Sequence, residues 1–514
     1  MKKIILYLLI VFCLASCAQQ TNLKDVQILP ELVPAPKEIV LGKKALILSK
    51  TSKLYGADSE LKPLLELFKS ELNVLTGFDL EITSSKDADI SFEIDTTMHW
   101  YQYHIAIKNS IQVSAGSAQA AKMSRNTLLQ LAQVETEELL FPQLQLSDMP
   151  DANYRGLMID LARNWHSMET VKKLIDLASY YKTNYVQLHF TDDQSYTLPS
   201  KKYPKLSTPN RHYSFEDLRE LEAYSQARGV TIIPEIDVPG HAKSLVTAYP
   251  ELFGIEAHEE NPYILNMGKE EVYNALDEIF SEILPIFKST RYFHIGGDEA
   301  RFAKVMEDSH VKKYMKEKDL GNKDVHELYR HFLVRMNDIV KKYDKQACIW
   351  EGFARNGSVK IPKDMIVFEF ESLYHLPDEL IEDGYTVVNA SWKPLYVVNE
   401  KKWEPKTIYD WNMWQFRNWW SRSPATENPI QLKETPLIIG AQMCTWEQPE
   451  EVEFTSLRKR LPVMNERLWN TDENLSYEEF MTHLDRTDAK LSTLVNDSKQ
   501  DDLFIGYNHK EPEN

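Results

Sequence analysis

Two adjacent carboxylates, Asp298 and Glu299, come directly after a short apolar run and two glycines in the stretch 291–300. Adjacent side chains on a regular strand point to opposite faces, so both acids serve one site only where the strand ends or kinks. Glycine gives the backbone that freedom. Because the charge of one carboxylate raises the pKa of a close neighbour, the pair predicts a general acid beside an anion. A solvated Asp-Glu turn is the competing interpretation.

The chain from Tyr154 onwards predicts the elements that would hold this pair. Strand patterns alternate there with helix patterns, which is typical of a parallel sheet with right-handed crossovers. The predicted strands are 156–161, 185–190, 231–236, 292–295, 347–350, 365–370, 386–390 and 437–443. The predicted helices between most of them are 168–181, 215–228, 269–287, 325–342 and 377–383. Eight such units predict a catalytic (β/α)8 TIM barrel in an α/β protein.

Most of these predicted strands are followed by acids, histidines, tryptophans or other polar groups. Chemistry in such a barrel takes place at the carboxyl ends of the strands. The groups expected at that rim are Arg163, His189, Asp192, Asp193, Gln194, Glu235, Asp237, His241, Asp298, Glu299, Trp350, Glu351, Trp392, Tyr396, Trp446, Glu447 and Gln448. Indole faces pack on the C–H-rich faces of sugars, and carboxylates hydrolyse glycosidic bonds. The rim therefore predicts a carbohydrate site.

The segment 29–150 predicts a small N-terminal α/β domain. Its expected strands are 45–49, 80–83, 90–94, 104–107 and 111–113, with helices near 59–76 and 118–133. It shows no cluster of titratable groups with a recognisable spacing, so we interpret it as structural. The predicted organisation is a signal peptide at 1–16, a tether at 17–28, this domain at 29–150, the barrel at 151–475 and a C-terminal helical tail at 476–514.

The first sixteen residues predict an export signal, because two lysines precede an apolar run too short for a membrane span. Residues 14–17, Leu-Ala-Ser-Cys, resemble a bacterial lipobox, which implies cleavage before Cys17 and a lipid on that residue. The chain is then expected in the cell envelope, anchored to a membrane on the periplasmic side or at the cell surface. An ordinary signal with an incidental cysteine is the alternative.

Composition excludes several classes of function. A net charge of −18 makes nucleic acid an unfavourable partner. Cys348 and Cys444 lie in apolar runs and are predicted to be buried thiols. No His-x-His or Cys-x-x-Cys pattern occurs, so we predict no catalytic metal and no cofactor.

At the predicted rim the sequence resembles glycoside hydrolase family 20, the β-N-acetylhexosaminidases, over about residues 29–469. The motifs that carry the resemblance are VPAPK at 33–37, TLLQL at 127–131, RG at 155–156, HFTDDQ at 189–194, PEIDVPGH at 234–241, HIGGDE at 294–299 and ERLW at 466–469. The resemblance implies an exo-acting retaining hydrolase that removes terminal β-linked GlcNAc or GalNAc from glycans. In this family the 2-acetamido oxygen of the substrate is the nucleophile, and an oxazolinium intermediate follows.

The resemblance also implies roles for the charged residues. Glu299 is the expected acid to the glycosidic oxygen and then the base to water. Asp298 is expected to orient the acetamido nitrogen and to stabilise the oxazolinium, and its charge to keep Glu299 protonated. His241 and Asp192 resemble the pair that tunes the acid, and Arg155 resembles an arginine that holds sugar hydroxyls.

Further residues resemble the walls of the acetamido pocket. Trp350 and Trp446 match two indole walls, and Tyr396 matches the hydroxyl that binds the acetamido carbonyl. The sequence departs from the family at Phe370, where a third tryptophan is common, at Val398, where many members have aspartate, and at Gln448, where glutamate is usual although Glu447 precedes it. The departures predict weaker discrimination at O4, or tolerance of an anionic group on O6, with Asn399 or Glu447 as substitutes for the aspartate. Each aromatic residue is also compatible with a plain core role.

Two other functions stay open at this stage. One is an ordinary two-carboxylate glycosidase that uses Glu351 or Glu235 as the second acid. The other is a non-catalytic glycan-binding lipoprotein, against which the presence of both Asp298 and Glu299 counts. The segment 393–435 holds five tryptophans and predicts either a folded lid over the sugar site or a local core.

Overall fold

The computed structural model describes residues 22–321, 324–398, 401–472 and 475–500. Within them an N-terminal α/β domain precedes a closed parallel barrel. The strands of the N-terminal sheet are β1 Leu23–Lys24, β2 Glu38–Leu48, β3 Lys53–Gly56, β4 Glu81–Ile82, β5 Ile90–Ile94, β6 Tyr103–Ile107, β7 Ile111–Ala115, β8 Gln133–Glu135 and β9 Glu138–Asp148. Their order is β1-β2-β9-β6-β7-β5-β3-β4, and β8 pairs with β9.

The sequence prediction missed β9, which pairs along most of its length with β2. Burial alternates imperfectly along β9, because successive residues near its start are all buried, and this pattern hides the strand from period-two analysis. Two helices, α1 Lys62–Thr76 and α2 Ala118–Leu131, contact both this sheet and helices of the barrel. The N-terminal domain therefore buries one helical layer against the barrel.

The barrel strands are β10 Tyr154–Asp160, β11 Tyr185–His189, β12 Thr231–Glu235, β13 Tyr292–His294, β14 Gln346–Trp350, β15 Ile366–Glu369, β16 Thr386–Asn389 and β21 Ile438–Trp446. Each pairs in parallel with the next, and β21 pairs with β10 to close the ring. The predicted (β/α)8 fold is confirmed. The short strands β17 Tyr396–Val398, β18 Lys401–Lys402, β19 Gln415–Phe416 and β20 Ile430–Gln431 lie outside the ring, with β17 parallel to β21.

Helices surround this ring. They are α3 Met168–Tyr180, α4 Phe215–Ala227, α5 Lys243–Ala248, α6 Pro250–Phe253, α7 Glu270–Ile283, α8 Ser309–Glu317, α9 Val325–Lys341, α10 Pro377–Glu382, α11 Trp392–Leu395, α12 Pro405–Tyr409, α13 Glu450–Arg458, α14 Arg460–Trp469 and α15 Tyr477–Leu494. Several helices begin with a side-chain cap, such as Ser214 on α4 and Ser476 on α15, each in a capping box. None of the helices in the described part of the chain is both long and apolar enough to cross a membrane.

The end of α14 joins the two domains through three side chains. Glu466 accepts a hydrogen bond from the Ala35 amide at 2.8 Å, and Asn470 donates to the Ala35 carbonyl at 2.9 Å. The Trp469 indole donates to Asp148 at 2.7 Å. The sequence motifs at 33–37 and 466–469 therefore contact each other and hold the domains together.

The tryptophan-rich segment 393–435 divides between the two predicted roles. Trp403 and Trp411 are buried in the main core, so this part is structural. Trp419 instead packs edge-on against Trp392, whose ring lies 4.4 Å from that of Tyr396. The later part of the segment thus reaches the predicted sugar site.

Candidate active site

The two glycines after β13 bend the chain at the rim. Gly296 and Gly297 have φ values of 69° and 96°, a region that favours glycine. The Gly297 amide donates to Asp237 at 3.1 Å, and the Tyr329 hydroxyl donates to the Gly297 carbonyl. This bend brings both following carboxylates to one side, as the sequence predicted.

Asp298 and Glu299 share one imidazole neighbour. His241 Nε2 lies 3.8 Å from Asp298 Oδ2 and 3.6 Å from Glu299 Oε2. The Asp298 side chain is 11% exposed and that of Glu299 is 51% exposed, so the acid predicted to protonate the substrate is the accessible one. Glu299 and His241 have φ values of 44° and 47°, and such strained backbone is common at functional sites.

His241 is held from the other side by Asp192 and Arg163. His241 Nδ1 lies 3.2 Å from Asp192 Oδ1, and Arg163 Nη2 lies 2.9 Å from Asp192 Oδ2. Arg163 also pairs with Asp160 at 3.2 Å and lies over the Trp446 ring at 4.9 Å. The structure therefore brings the predicted His241–Asp192 pair together beside the acids.

The same chain of charges continues into the barrel. His189 Nε2 lies 2.9 Å from Asp192, and its Nδ1 lies 2.8 Å from Glu235. Glu235 is fully buried and accepts hydrogen bonds from the Trp350 indole and from Gln187, each at 2.7 Å. One buried carboxylate thus connects the aromatic wall to the residues that hold His241.

The pKa directions follow from these contacts. Burial, opposed by His241 and assisted by the Glu299 charge, raises the pKa of Asp298. The hydrogen bond from His241 lowers the pKa of Glu299, against the effect of burial. Burial alone would lower the pKa of His241, but the charges of Asp237 and the hydrogen bond to Asp192 raise it well above its usual value. The hydrogen bond from His241 is thus the largest influence on the pKa of Glu299, and the role of Asp298 in keeping Glu299 protonated stays a prediction.

Four aromatic side chains form a packed cluster next to the acids. Trp350, Phe370 and Tyr396 are almost fully buried, and Trp446 is half-buried. The ring centroid of Trp350 lies 5.7 Å from Phe370 and 5.8 Å from Trp446, and the rings of Phe370 and Tyr396 are stacked at 6.3 Å. All four predicted pocket residues are thus brought together.

Arg155 lies away from this rim. It is fully buried near the amino end of β10, where it donates to the carbonyls of Lys182 and Ala152 at 2.9 and 2.6 Å and lies over the Trp469 ring. The predicted contact of Arg155 with sugar hydroxyls is wrong, because Arg155 is buried at the amino end of β10, whereas Arg163 follows the carboxyl end of that strand at the rim. Sequence position at the strand end was the signal that pointed to Arg163.

The side chains of the adjacent residues Glu447 and Gln448 differ in their exposure to solvent. Glu447 is exposed, with φ of 56° and its Oε1 3.7 Å from Arg163 Nε. Gln448 is fully buried and accepts a hydrogen bond from Ser456 at 3.2 Å, so the substrate contact predicted for Gln448 is not possible in this arrangement. Val398 is half-buried and pairs with Trp446 across β17 and β21, while Asn399 lies outside the described residues.

A further acid that the sequence prediction did not assign is Glu371, which follows Phe370 at the end of β15. It is 5% exposed, and burial, followed by the charges of Glu351, Glu299 and Asp298, raises its pKa to about 8. The carbonyl of Glu371 accepts a hydrogen bond from Asn418 at 2.7 Å, which fixes the tryptophan-rich segment to the site. The rule of inspecting the residue after each strand would have found it.

The acids proposed for a two-carboxylate mechanism are both enclosed. Glu351 is fully buried and accepts hydrogen bonds from the amides of Tyr374 and His375, and burial with the Glu369 charge raises its pKa to about 8. Glu235 is buried between imidazoles. Neither carboxylate is placed at the open rim with Glu299.

The imidazoles and carboxylates here also include metal-like groupings, such as His189, Glu235 and Asp237. Both nitrogens of His189 face carboxylates, at 2.9 and 2.8 Å. These ion pairs account for the cluster without a cation, and the absence of a catalytic metal stays a prediction. Cys348 and Cys444 are buried free thiols, as predicted.

Comparison with known families accounts for both domains. Residues 153–472 match the description "Glycosyl hydrolase family 20, catalytic domain", and residues 29–149 match "Glycosyl hydrolase family 20, domain 2". This chain belongs to glycosyl hydrolase family 20. The family assignment that the sequence motifs implied is therefore confirmed.

Relatives of this family-20 chain carry consistent names. It is 29% identical to a beta-hexosaminidase of Porphyromonas gingivalis over 383 residues, which is 67% of this chain but 48% of that protein. It is also 29% identical to a beta-hexosaminidase of Vibrio furnissii over 447 residues, covering 81% of this chain and 72% of that protein.

Solved structures agree on the fold. A GH20 exo-β-N-acetylglucosaminidase of Vibrio harveyi, in complex with N-acetylglucosamine, has a TM-score of 0.78 at 25% identity, over 92% of this chain and 79% of that one. A β-N-acetylhexosaminidase of Bacteroides fragilis has a TM-score of 0.79 at 23% identity, over 90% of this chain and 96% of that one. The family-20 architecture thus extends over both domains.

Proposed function

We propose that this family-20 chain is an exo-acting, retaining β-N-acetylhexosaminidase that removes terminal β-linked GlcNAc or GalNAc from glycans. The observation that carries the proposal is the position of Asp298 and Glu299, which share the His241 imidazole as a neighbour and lie beside the aromatic cluster. An acetamido group held against Trp350, Tyr396 and Trp446 would have the buried carboxylate of Asp298 for its nitrogen. The leaving oxygen would have the accessible acid Glu299.

In this proposal the substrate provides the nucleophile. Asp298 orients the acetamido group and balances the positive charge of the oxazolinium, which is most effective in a site without water. Glu299 protonates the leaving oxygen and then takes a proton from the incoming water. The hydrogen bond from His241 lowers the pKa of Glu299 in the free protein, so the acid step requires a bound sugar to displace water from Glu299 and raise this pKa. His241 Nε2, 3.6 Å from Glu299 Oε2, is the neighbouring group that exchanges a proton with it.

The Arg163–Glu447 pair is the proposed contact for sugar hydroxyls. Arg163 is fixed by Asp160 and Asp192, so its remaining donors are already oriented at the rim. Glu447 supplies an exposed carboxylate, whereas the neighbouring Gln448 is buried. Since Val398 has no polar group to penalise a mismatched hydroxyl, any strong preference between GlcNAc and GalNAc must come from the Arg163–Glu447 pair.

The test is a panel of aryl β-glycosides of GlcNAc, GalNAc, 6-sulfo-GlcNAc and glucose, together with a GlcNAc thiazoline. Turnover of the acetamido sugars, no turnover of glucoside and strong inhibition by the thiazoline are expected, because the thiazoline resembles the cyclised intermediate. Equal turnover of the glucoside would indicate an ordinary two-carboxylate glycosidase. No turnover of any glycoside would indicate a glycan-binding protein.

We also propose that the chain is a lipoprotein of the cell envelope, attached to the membrane through Cys17. The support is the lipobox-like Leu-Ala-Ser-Cys after an apolar signal, which lies outside the described residues. Cells that express the chain should incorporate a palmitate analogue into it and retain it in the membrane fraction. Cys17→Ala should abolish both. Unchanged membrane retention of that variant would contradict the anchor.

A further inference from the structure

A second cavity lies at the amino end of the barrel, on the face opposite the catalytic rim. It is open to solvent and has a volume of about 520 Å³, within the range of small-ligand sites. Its floor is formed by Tyr154, Tyr185 and Tyr292, the first residues of β10, β11 and β13. Its other wall is the loop 99–101 of the N-terminal domain. The site therefore requires both domains.

Aromatic side chains and polar groups both line this cavity. The rings of Tyr154 and Tyr185 are stacked with centroids 4.7 Å apart and planes at 8°, and Tyr292 lies 5.6 Å from Tyr185. Trp100 stands at the edge and is 62% exposed, although most large aromatic side chains are covered. Tyr154 and Tyr292 are buried, so the aromatic surface open to a sugar face is that of Trp100 and the half-buried Tyr185.

The loop that carries Trp100 is held in place rather than free. The Ser117 hydroxyl donates to the Trp100 carbonyl at 2.6 Å, and the Gln102 amide donates to the His99 carbonyl at 2.9 Å. A Cβ on Gly116 would lie 2.0 Å from the His99 carbonyl oxygen, so only glycine permits this close approach. A fixed aromatic residue loses little conformational entropy when it binds a ligand.

The polar groups at the cavity suit hydroxyls and anions. Arg291, His99 and Asn153 are exposed there, and Arg291 is oriented by its hydrogen bond to the Tyr292 hydroxyl at 2.6 Å. The described residues that line the cavity include no aspartate or glutamate, although the chain has 77 acidic residues against 59 basic ones. The lining of the cavity therefore does not repel an anionic group, although the protein as a whole is acidic.

We propose that this cavity is a second carbohydrate-binding site. A pyranose ring packs on Trp100 and Tyr185, and Arg291 and Asn153 donate to its hydroxyl or acidic substituents. Because the site lies opposite the rim, it binds a different part of a long glycan, or a second glycan, from the one whose end is cleaved. Attachment there would raise the local concentration of chain ends at the enzyme.

The test measures oligosaccharide binding by calorimetry with the catalytic site inactivated by Glu299→Gln and saturated with the GlcNAc thiazoline. The probes are neutral chitohexaose and anionic hyaluronan hexasaccharide, which separate ring stacking from charge recognition. Binding of at least one probe is expected, and Trp100→Ala should weaken it about tenfold or more, the value of one lost aromatic contact. Arg291→Gln should weaken the anionic probe more than the neutral one.

Val40→Ala is the matched control, because Val40 is an apolar residue of the same domain that is 70% exposed and lies outside the cavity. It should leave binding unchanged, and all variants should keep the melting temperature of the parent. If neither probe binds, or if binding stays within twofold in both the Trp100 and Arg291 variants, the second site is refuted. Because the readout depends on Trp100 and Arg291, it does not require the proposed catalytic activity.

Discussion

Glu299 is the residue whose role makes the most direct kinetic prediction. Glu299→Gln should reduce kcat/KM for glycosides with poor leaving groups by about 10²–10⁴, the usual contribution of general acid catalysis. Glycosides of very acidic phenols should lose far less, since such leaving groups need little protonation. A plot of log kcat/KM against leaving-group pKa measures the difference.

Asp298→Asn is the control for that plot. Asp298 acts on the acetamido group, so the variant should lose activity by a similar factor for every leaving group. A steep leaving-group dependence for Asp298→Asn, or none for Glu299→Gln, would contradict the division of roles between the adjacent acids.

Glu235 is the basis of a prediction about how kcat/KM depends on pH. Its charge, with Asp192, holds the pKa of His189 well above the usual value against the effect of burial. Without that charge the pKa of His189 falls, so a cation that competes with His241 for Asp192 is lost and the imidazolium of His241 becomes more favourable. Glu235→Gln should therefore lower kcat/KM and move the alkaline limb of its pH profile to higher pH.

Glu369→Gln is the matched control for Glu235→Gln. Glu369 is another fully buried barrel glutamate, and burial raises its pKa to about 8, so glutamine resembles its uncharged form. Its variant should leave the pH limbs in place. An alkaline limb that does not move in Glu235→Gln would show that Glu235 only supports the structure.

At the scale of elements, the bend after β13 depends on its two glycines for different reasons. A Cβ on Gly296 would lie 1.7 Å from Asp237 Oδ1, whereas the nearest atom to one on Gly297 is 3.5 Å away. Gly297→Ala should therefore lower the free energy of unfolding by only about 1–2 kcal/mol relative to the wild type, the cost of the backbone strain. Gly296→Ala must also displace Asp237, and with it the acids.

Activity separates the two variants further. A displacement of about 1 Å at the catalytic groups lowers rates by about 10²-fold, so Gly296→Ala should lose at least that much kcat/KM and Gly297→Ala much less. Denaturant unfolding and kcat/KM are measured on the same preparations. Equal losses of activity in both would indicate that strain, not the contact with Asp237, sets the position of the acids.

At the scale of the whole molecule, Glu466 connects the domains and makes their attachment sensitive to pH. Burial raises its pKa from an ordinary 4.5 to about 7. Because the folded state binds this proton more tightly than the unfolded chain, the contribution of Glu466 to stability is complete below about pH 4.5 and is lost as the pH rises to about 7.

Glu466→Gln removes that titration. Between pH 5 and pH 8 the free energy of unfolding of the variant should rise relative to that of the wild type by about 1–3 kcal/mol, since other groups cancel in the comparison. A constant difference across this pH range would contradict burial of an unfavourable charge at the domain interface.

The sequence alone determined the barrel and the two adjacent acids, Asp298 and Glu299, at its rim. Hydrophobic runs and their alternation with helical patterns are local properties, so the eight ring strands were predicted within a few residues of their observed bounds. The rule that chemistry follows strand ends then selected Asp298, Glu299 and His241. The pairing of β9 with β2 was missed, since burial at the start of β9 does not alternate.

Only the tertiary structure decided how the candidate residues are oriented. Arg155 and Arg163 lie at opposite ends of one strand region. The motif at 155–156 led us to assign the contact with sugar hydroxyls to Arg155, which lies at the wrong end. Glu447 and Gln448 are neighbours, yet one is exposed and the other is buried against Ser456. The direction of the Glu299 pKa depends on an imidazole from another strand, and electrostatic interactions follow distance in space, which sequence separation does not give.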